Sequence, residues 1–302
     1  MIGRGELAGV ILFEDNVGGR KRTDRAIGSL QRARRRSDVR APLLVMVDQE
    51  GGLVKRVPGP PSASAAEMGD RSRRYALRQG KATARNLDRY GINVDLAPVL
   101  DLARPGSAIA AEGRSFGRRP RRVRSLAVEG FARGLQRGGV AATAKHFPGL
   151  GAARVNTDDA SQRITLPRRR LRAADERPFA AFGKADGALV MLGHATYTAF
   201  ANRPASLSRR IATGELRRRL GYEGVTITDS LDATAVRAFA GRSRIAFEAA
   251  DAGNDLLLYG SWETAARSGT TLRRKLRTGK LDRSAFEASV ARVLELRRSL
   301  AG

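Results

Sequence analysis

A chain of 302 residues with 42% hydrophobic content can bury a large core, in one α/β domain or two smaller ones. It has no Cys, which excludes disulfide frameworks and thiolate zinc sites, and with only His146 and His194 any metal site would have to be carboxylate-rich. The net charge of +26 raises a nucleic-acid reading, but the basic residues, only seven of them Lys, sit in short clusters all along the chain and 5% of residues are aromatic. That pattern suits solvated outer helices: we expect no specific nucleic-acid partner, only weak, salt-sensitive adhesion to polyanions.

In chain order, seven apolar runs of strand length recur: "GVILF" at 9–13, "LLVMV" at 43–47, "INVDLAPV" at 92–99, "VAATA" at 140–144, "ALVML" at 188–192, "VTIT" at 225–228 and "DLLLY" at 255–259. Helical patterns such as "RTDRAIGSLQRARR" and "SLAVEGFARGLQRG" lie between them, and a last helix is expected near 284–300. Strands alternating with helices predict a parallel sheet. Polar residues follow most of the runs: Asp48, Asp101 and then Arg114, Lys145 with His146, His194 and Asp229. A shared mouth of this kind points to a TIM-type (β/α)8 barrel forming a single domain over 1–302, whereas an open sheet would gather its chemistry at one switch point. Seven strands are one short of eight, so we expect the barrel to lack its first strand because the chain starts late, with an exposed edge beside "GVILF". No window reaches membrane-spanning length, and "MIGRGELAGV" lacks the layout of a signal peptide. As written the chain reads as cytoplasmic and without a membrane partner, with secretion open if the true start lies upstream.

"GLGAAR" at 149–154 resembles the opening of a dinucleotide fingerprint, but Arg154 replaces the last small residue and "VNTDDASQ" is turn-like where a helix should begin. No cofactor is expected. Asp229 directly follows an apolar strand, where it could act as a nucleophile or cap a helix. Asp48 or Glu50 would face the mouth through the tight turn that tandem Gly permits. Lys145 and His146 end a strand, where the twist into "FPG" can aim both at a ligand. A ring of Asp, Arg, Lys and His suits a polyhydroxylated substrate, and a carboxylate pair could run glycoside hydrolysis.

Five segments, "GVILFEDNV", "VDQEGGLVKRV", "GINVDLAPVLDL" with "RSFG", "AATAKHFPGLG" and "PASLSRRI…LGYEGVTITDSLDA", resemble in order and spacing the family 3 glycoside hydrolases, and among them the single-domain β-N-acetylglucosaminidase branch. The resemblance implies a retaining enzyme with Asp229 as nucleophile, and Asp48, Arg114, Lys145 and His146 holding the sugar hydroxyls. It also implies a carbohydrate substrate with terminal β-linked N-acetylhexosamine, as in peptidoglycan fragments or chitin oligomers, and neither metal nor cofactor. One departure concerns the acid. The branch carries K-H-F-P-G-H-G and then an Asp-x-His dyad whose His is the general acid and base. Here Leu150 and "NTD" at 156–158 stand instead, which makes Asp158 the candidate acid/base and Asp159 its alternative, given a raised pKa. The alternatives are a β-glucosidase-type family 3 hydrolase of another sugar and a degenerate sugar-binding barrel. No residue pattern specifies an oligomeric state.

Overall fold

The computed structural model describes residues 1–301. Ten strands form in chain order: β1 (Gly9–Leu12), β2 (Leu44–Val47), β3 (Gln49–Gly51), β4 (Val54–Lys55), β5 (Val94–Asp95), β6 (Ala141–Phe147), β7 (Arg163–Ile164), β8 (Leu189–Leu192), β9 (Thr196–Tyr197) and β10 (Val225–Thr228). Six of them build one sheet in the order β1-β2-β5-β6-β8-β10, every pairing parallel. Spatial order follows chain order without reversal, so the sheet curls around one axis instead of opening at a switch point, as a TIM-type α/β fold requires. β3 and β4 form an antiparallel pair just after β2, and β7 and β9 a second small pair.

The strands read as unbroken apolar runs because both faces are covered. Side chains alternate along each strand. Leu44, Met46, Val94, Leu189, Met191, Val225 and Ile227 meet in one cluster inside the curl. Val45, Val47, Ala142, Ala144, Val190 and Leu192 face outward and pack with helix residues such as Leu87, Leu126, Phe131 and Leu135. The helix Arg73–Asp88 lies unusually close to the helical stretch 120–137: a Cβ at Gly80 would stand 2.1 Å from the Phe131 carbonyl oxygen, so only Gly serves there.

Two expected strands are shorter than anticipated. Of 92–99 only Val94–Asp95 pairs regularly, with an isolated bridge from Val99 to Lys145, because Pro98 has no N–H to give the ladder. The run 255–259 makes a single parallel bridge, Ile227 to Leu256. Around it the backbone bonds Leu256 N–H to Thr226 O and Thr228 N–H to Leu256 O are kept, while side chains take the flanking positions: the Thr226 N–H donates to the Asp255 carboxylate (2.8 Å) and the Leu258 N–H to the Thr228 hydroxyl (3.1 Å). Seven parallel segments therefore surround the axis, six of them regular strands. On its other side β1 pairs with no strand among the described residues, and its four residues are only half-buried. The last helix, Arg283–Ser299, spans this seam from below. Its Val293 and Leu296 join the inner cluster together with Ala8 and Ile11. Its Arg292 binds Asp255 at 2.7 Å, and its Arg297 donates to the carbonyls of Ala41 and Pro42. Among the described residues no helix is long and apolar enough to cross a membrane.

Candidate active site

Strand parity places the chemistry. Continuing the inward-facing series 44–46, 141–143 and 225–227 by one step each reaches Asp48, Lys145 and Asp229, all at the C-terminal ends of strands. All three line one cleft of about 180 Å³ at the mouth of the curled sheet, with Arg114, His146, Asn156 and Asp158. The turn that carries Asp48 needs its tandem glycines. Gly51 and Gly52 adopt φ of 93° and 61°, and a Cβ on Gly51 would lie 2.3 Å from the Ala63 carbonyl oxygen. Asp95 on the neighbouring strand accepts the Gln49 N–H at 3.0 Å and so pins this turn.

The floor is a chain of charges. Lys145 Nζ donates to Asp48 at 2.6 Å and lies 2.7 Å from Glu50 Oε1. Arg114 grips Glu50 with two bonds of 2.8 Å and reaches Glu112 at 3.0 Å. Burial alone would raise the Glu50 pKa, but Lys145 and Arg114 outweigh it and hold the carboxyl at about 2. Burial likewise works against the charged forms of Lys145 and Arg114, yet their carboxylate partners push both pKa values above the ordinary range. Glu50, Lys145 and Arg114 are therefore ionised at neutral pH, in a fixed array of donors and acceptors suited to neighbouring hydroxyls.

Beside this array, β6 loses register with β8 between Ala144 and Phe147, and the Lys145–His146 peptide is cis. Both side chains line the cleft. Asp101, fully buried, accepts the backbone N–H groups of His146 and Leu150 and lies 2.7 Å from His146 Nδ1. A carboxylate only accepts, so Nδ1 carries the proton and Nε2 faces Asp229 Oδ2 at 3.8 Å. Burial would raise the pKa of Asp229, but the His146 ring, Lys145 and the Ser230 N–H at 2.8 Å prevail and lower it. Asp229 caps no helix: the next one, Thr234–Arg237, has Ala233 at its N-cap. His194 does not line the cleft. It is buried between the Ser206 hydroxyl and the Ser230 carbonyl, both at 2.8 Å, and tethers the segment that follows Asp229. Burial lowers its pKa, consistent with a neutral ring that donates to Ser230 O and accepts from Ser206.

The loop 148–160 closes one wall, with Leu150 buried in it. Its outer half is shaped by short-range bonds. Asn156 Oδ1 accepts the Asp158 N–H at 3.1 Å, a local turn that brings Asp158 round to the cleft. The carbonyls of Asp158 and Thr157 accept the N–H groups of Thr234 and Ala235, so this loop is fastened to the segment beyond Asp229. Both Asp158 and Asp159 are exposed, but Asp158 lines the cleft and Asp159 is not among the lining residues. The Asp158 pKa is pushed up to about 6, first by the protein that shields it from water and then by the facing Asp229 charge. The side chain keeps one face open to solvent.

The structure thus gathers Asp48, Arg114, Lys145, His146, Asp158 and Asp229 and leaves Asp159 outside. Sequence reasoning named Glu50 only as an alternative to Asp48, and Asp101 only as a polar residue at the mouth. The acidic pair flanking Gln49 in "DQEGG" and the Asp after "APVL" were the signals available for them. In "GLGAAR", the carbonyl of Gly149 accepts the Tyr197 hydroxyl and the Leu150 N–H goes to Asp101. These groups serve the fold of the loop.

The family model described as the glycosyl hydrolase family 3 N terminal domain matches residues 1–296. The chain is 37% identical to a protein of Arthroderma benhamiae named "Uncharacterized secreted glycosyl hydrolase", over 98% of this chain and 86% of that one. It is 30% identical to "Beta-hexosaminidase A" of Pseudoalteromonas piscicida, over 99% of this chain and 54% of that protein. Among solved structures it superposes on a glycoside hydrolase family 3 β-N-acetylglucosaminidase from Paenibacillus sp. str. FPU-7 with a TM-score of 0.92 and 31% identity, covering 100% of this chain and 58% of that one. The chain therefore spans little more than half the length of the last two. Matched along almost its whole length by the family model, it belongs to glycosyl hydrolase family 3.

Proposed function

We propose that this chain is a retaining glycoside hydrolase that releases β-linked N-acetylhexosamine from the non-reducing end of peptidoglycan fragments or chitin oligomers. The observation that carries the reading is the pair Asp229 and Asp158. Two carboxylates on tethered loops face one cleft, and their surroundings push their pKa values in opposite directions. In this reading the ionised Asp229 attacks the anomeric carbon while Asp158 gives its proton to the departing glycosidic oxygen. A covalent glycosyl-enzyme forms and the leaving group departs as an alcohol. Asp158, now a carboxylate, takes a proton from water, which attacks the anomeric carbon and frees Asp229. Asp48, Arg114, Lys145 and His146 hold the sugar hydroxyls, with Glu50 keeping Arg114 and Lys145 in place. The hexosamine preference draws on the names of the Pseudoalteromonas and Paenibacillus relatives. The seven parallel segments support a single TIM-type barrel domain one strand short of (β/α)8 among the described residues, with the last helix packed beside β1.

A panel of nitrophenyl β-glycosides, followed by mass analysis after a fluoro-sugar inactivator, tests this. We expect preferential turnover of the N-acetylglucosaminide and an adduct on the peptide containing Asp229. A folded protein that cleaves no member of the panel, or an adduct elsewhere, overturns the proposal.

A further inference from the structure

The large hydrophobic side chains exposed among the described residues are Phe13, Leu53, Val155, Trp262 and Val290. Phe13, Leu53 and Val155 sit in turns and loops that follow strands on the mouth face, Trp262 opens the helix Trp262–Arg277 that follows the last strand-like run, and Val290 lies elsewhere, on the last helix. Phe13 and Val155 line the cleft itself. Leu53 precedes Val54 and Trp262 follows Gly260 by two residues, and both of those neighbours line it. Trp262 is 71% exposed and Leu53 75%, an unusual concentration of apolar surface for water to cover around a charged sugar site.

These residues are joined to the candidate acid by one continuous rim. The Thr234 N–H donates to the Asp158 carbonyl, and the Gly260 N–H donates to Asp232 Oδ2 at 2.9 Å. A Cβ on Gly260 would lie 3.9 Å from the Phe13 ring. The acid loop, the segment after Asp229, the last strand end and the β1 end are therefore adjacent. Val155 lies three residues before Asp158 on the same loop. This rim borders the cleft on the side where Asp158 lies.

Resting on the hydrolase reading above, we propose that Phe13, Val155 and Trp262 form the leaving-group subsite. It selects glycosides whose leaving group is itself a ring with an apolar face, a second pyranose or an aryl group, over small leaving groups. Aromatic side chains meet the C–H face of a sugar or an aryl ring edgewise or stacked, and this contact adds to the burial of apolar area.

The test compares N-acetylglucosaminyl azide, whose leaving group has no ring, with 4-nitrophenyl N-acetylglucosaminide and N,N′-diacetylchitobiose. The readout is the ratio of kcat/KM on each ring-bearing substrate to that on the azide, which cancels intrinsic reactivity when variants are compared. Trp262→Ala and Phe13→Ala should each lower both ratios by about tenfold, whereas Val290→Ala should leave them at the wild-type value. Thermal melting of each variant confirms that it folds. Unchanged ratios in both aromatic variants overturn the subsite while leaving the hydrolase reading intact. Failure of the wild-type protein to cleave all three substrates overturns the hydrolase reading, and this inference with it.

Discussion

Replacing Asp158 by Asn removes one ionisable group and little volume, so it isolates the proton that the proposed mechanism needs. An ordinary Asp with a pKa of 3.8 is only about 0.06% protonated at pH 7, whereas one at about 6 is about 9% protonated. In the proposed mechanism this shift enlarges the supply of acid by about two orders of magnitude. Because Asp158 and Asp229 interact, the two limbs of the pH profile belong to the pair. In the wild-type protein kcat/KM should fall about tenfold per pH unit above an apparent pKa near 6, as the last proton leaves the pair. In Asp158→Asn this limb should vanish. Turnover of chitobiose, whose leaving oxygen needs a proton, should drop by about 10²- to 10⁴-fold, and that of a dinitrophenyl glycoside far less in its first step. Stability supplies a second readout with a fixed sign. A raised carboxyl pKa means that the folded state holds the proton more tightly than the unfolded chain, so the ionised group opposes folding. This cost is absent below about pH 4, grows as pH rises to about 6 and is full above that. Asp158→Asn should therefore melt at a higher temperature than wild type at pH 7 and at the same temperature at pH 3.5, by an amount that the solvent on its open face reduces. Equal losses on the good and poor leaving groups, or a basic limb that persists in the variant, would refute the assignment.

Asp159→Asn, by contrast, should change kcat/KM by no more than about twofold, because the side chain is exposed outside the cleft; a loss matching that of Asp158→Asn would show the acid to be misassigned. Glu50→Gln leaves Lys145 and Arg114 short of a counter-charge and should cost about 3–5 kcal/mol in denaturant unfolding at pH 7. Its low folded pKa of about 2 fixes the pH course: the wild-type advantage is full above 4.5 and should shrink as pH falls toward 2, and a gap that widens there contradicts the ion-pair account. Asp101→Asn loses the charge that orients His146 and holds the Leu150 N–H, so kcat/KM should fall by about 100-fold with the fold retained. A shift in KM alone, without kcat, would mean that His146 only binds.

Much of this site follows from period-two arithmetic. Once "LLVMV", "VAATA" and "VTIT" are recognised as strands buried on both faces, one further inward step names Asp48, Lys145 and Asp229, and a parallel sheet puts all three at the same end. The run 255–259 illustrates the limit of such reading. Its apolar pattern is that of a strand, but beyond the bonds around Leu256 the side chains of Thr226, Thr228 and Asp255 take backbone partners, a competition that hydrophobic periodicity does not register. Glu50 was obscured for a related reason. It follows Asp48 by two residues, and its function is set by Arg114, which is 64 positions away and brought close only by folding.

The choice between Asp158 and Asp159 shows how a loop decides chemistry. The two residues are adjacent and identical, so neither composition nor period separates them. What separates them is Asn156, whose side-chain oxygen accepts the Asp158 N–H, together with the Thr234 N–H, which donates to the Asp158 carbonyl. The resemblance aligns Asn156 with the acid of an Asp-x-His dyad, where a carboxylate would sit beside the imidazole. An Asp at 156 here would add a third negative charge next to Asp158 and Asp229. By the same electrostatics that lift Asp158 to about 6, it would raise that pKa further, strengthening the hold on the proton and slowing its release. An amide keeps the hydrogen bond without the charge. In the proposed mechanism Asn156 and Asp158 therefore work as a pair: the amide shapes the loop without placing a third negative charge beside the acid.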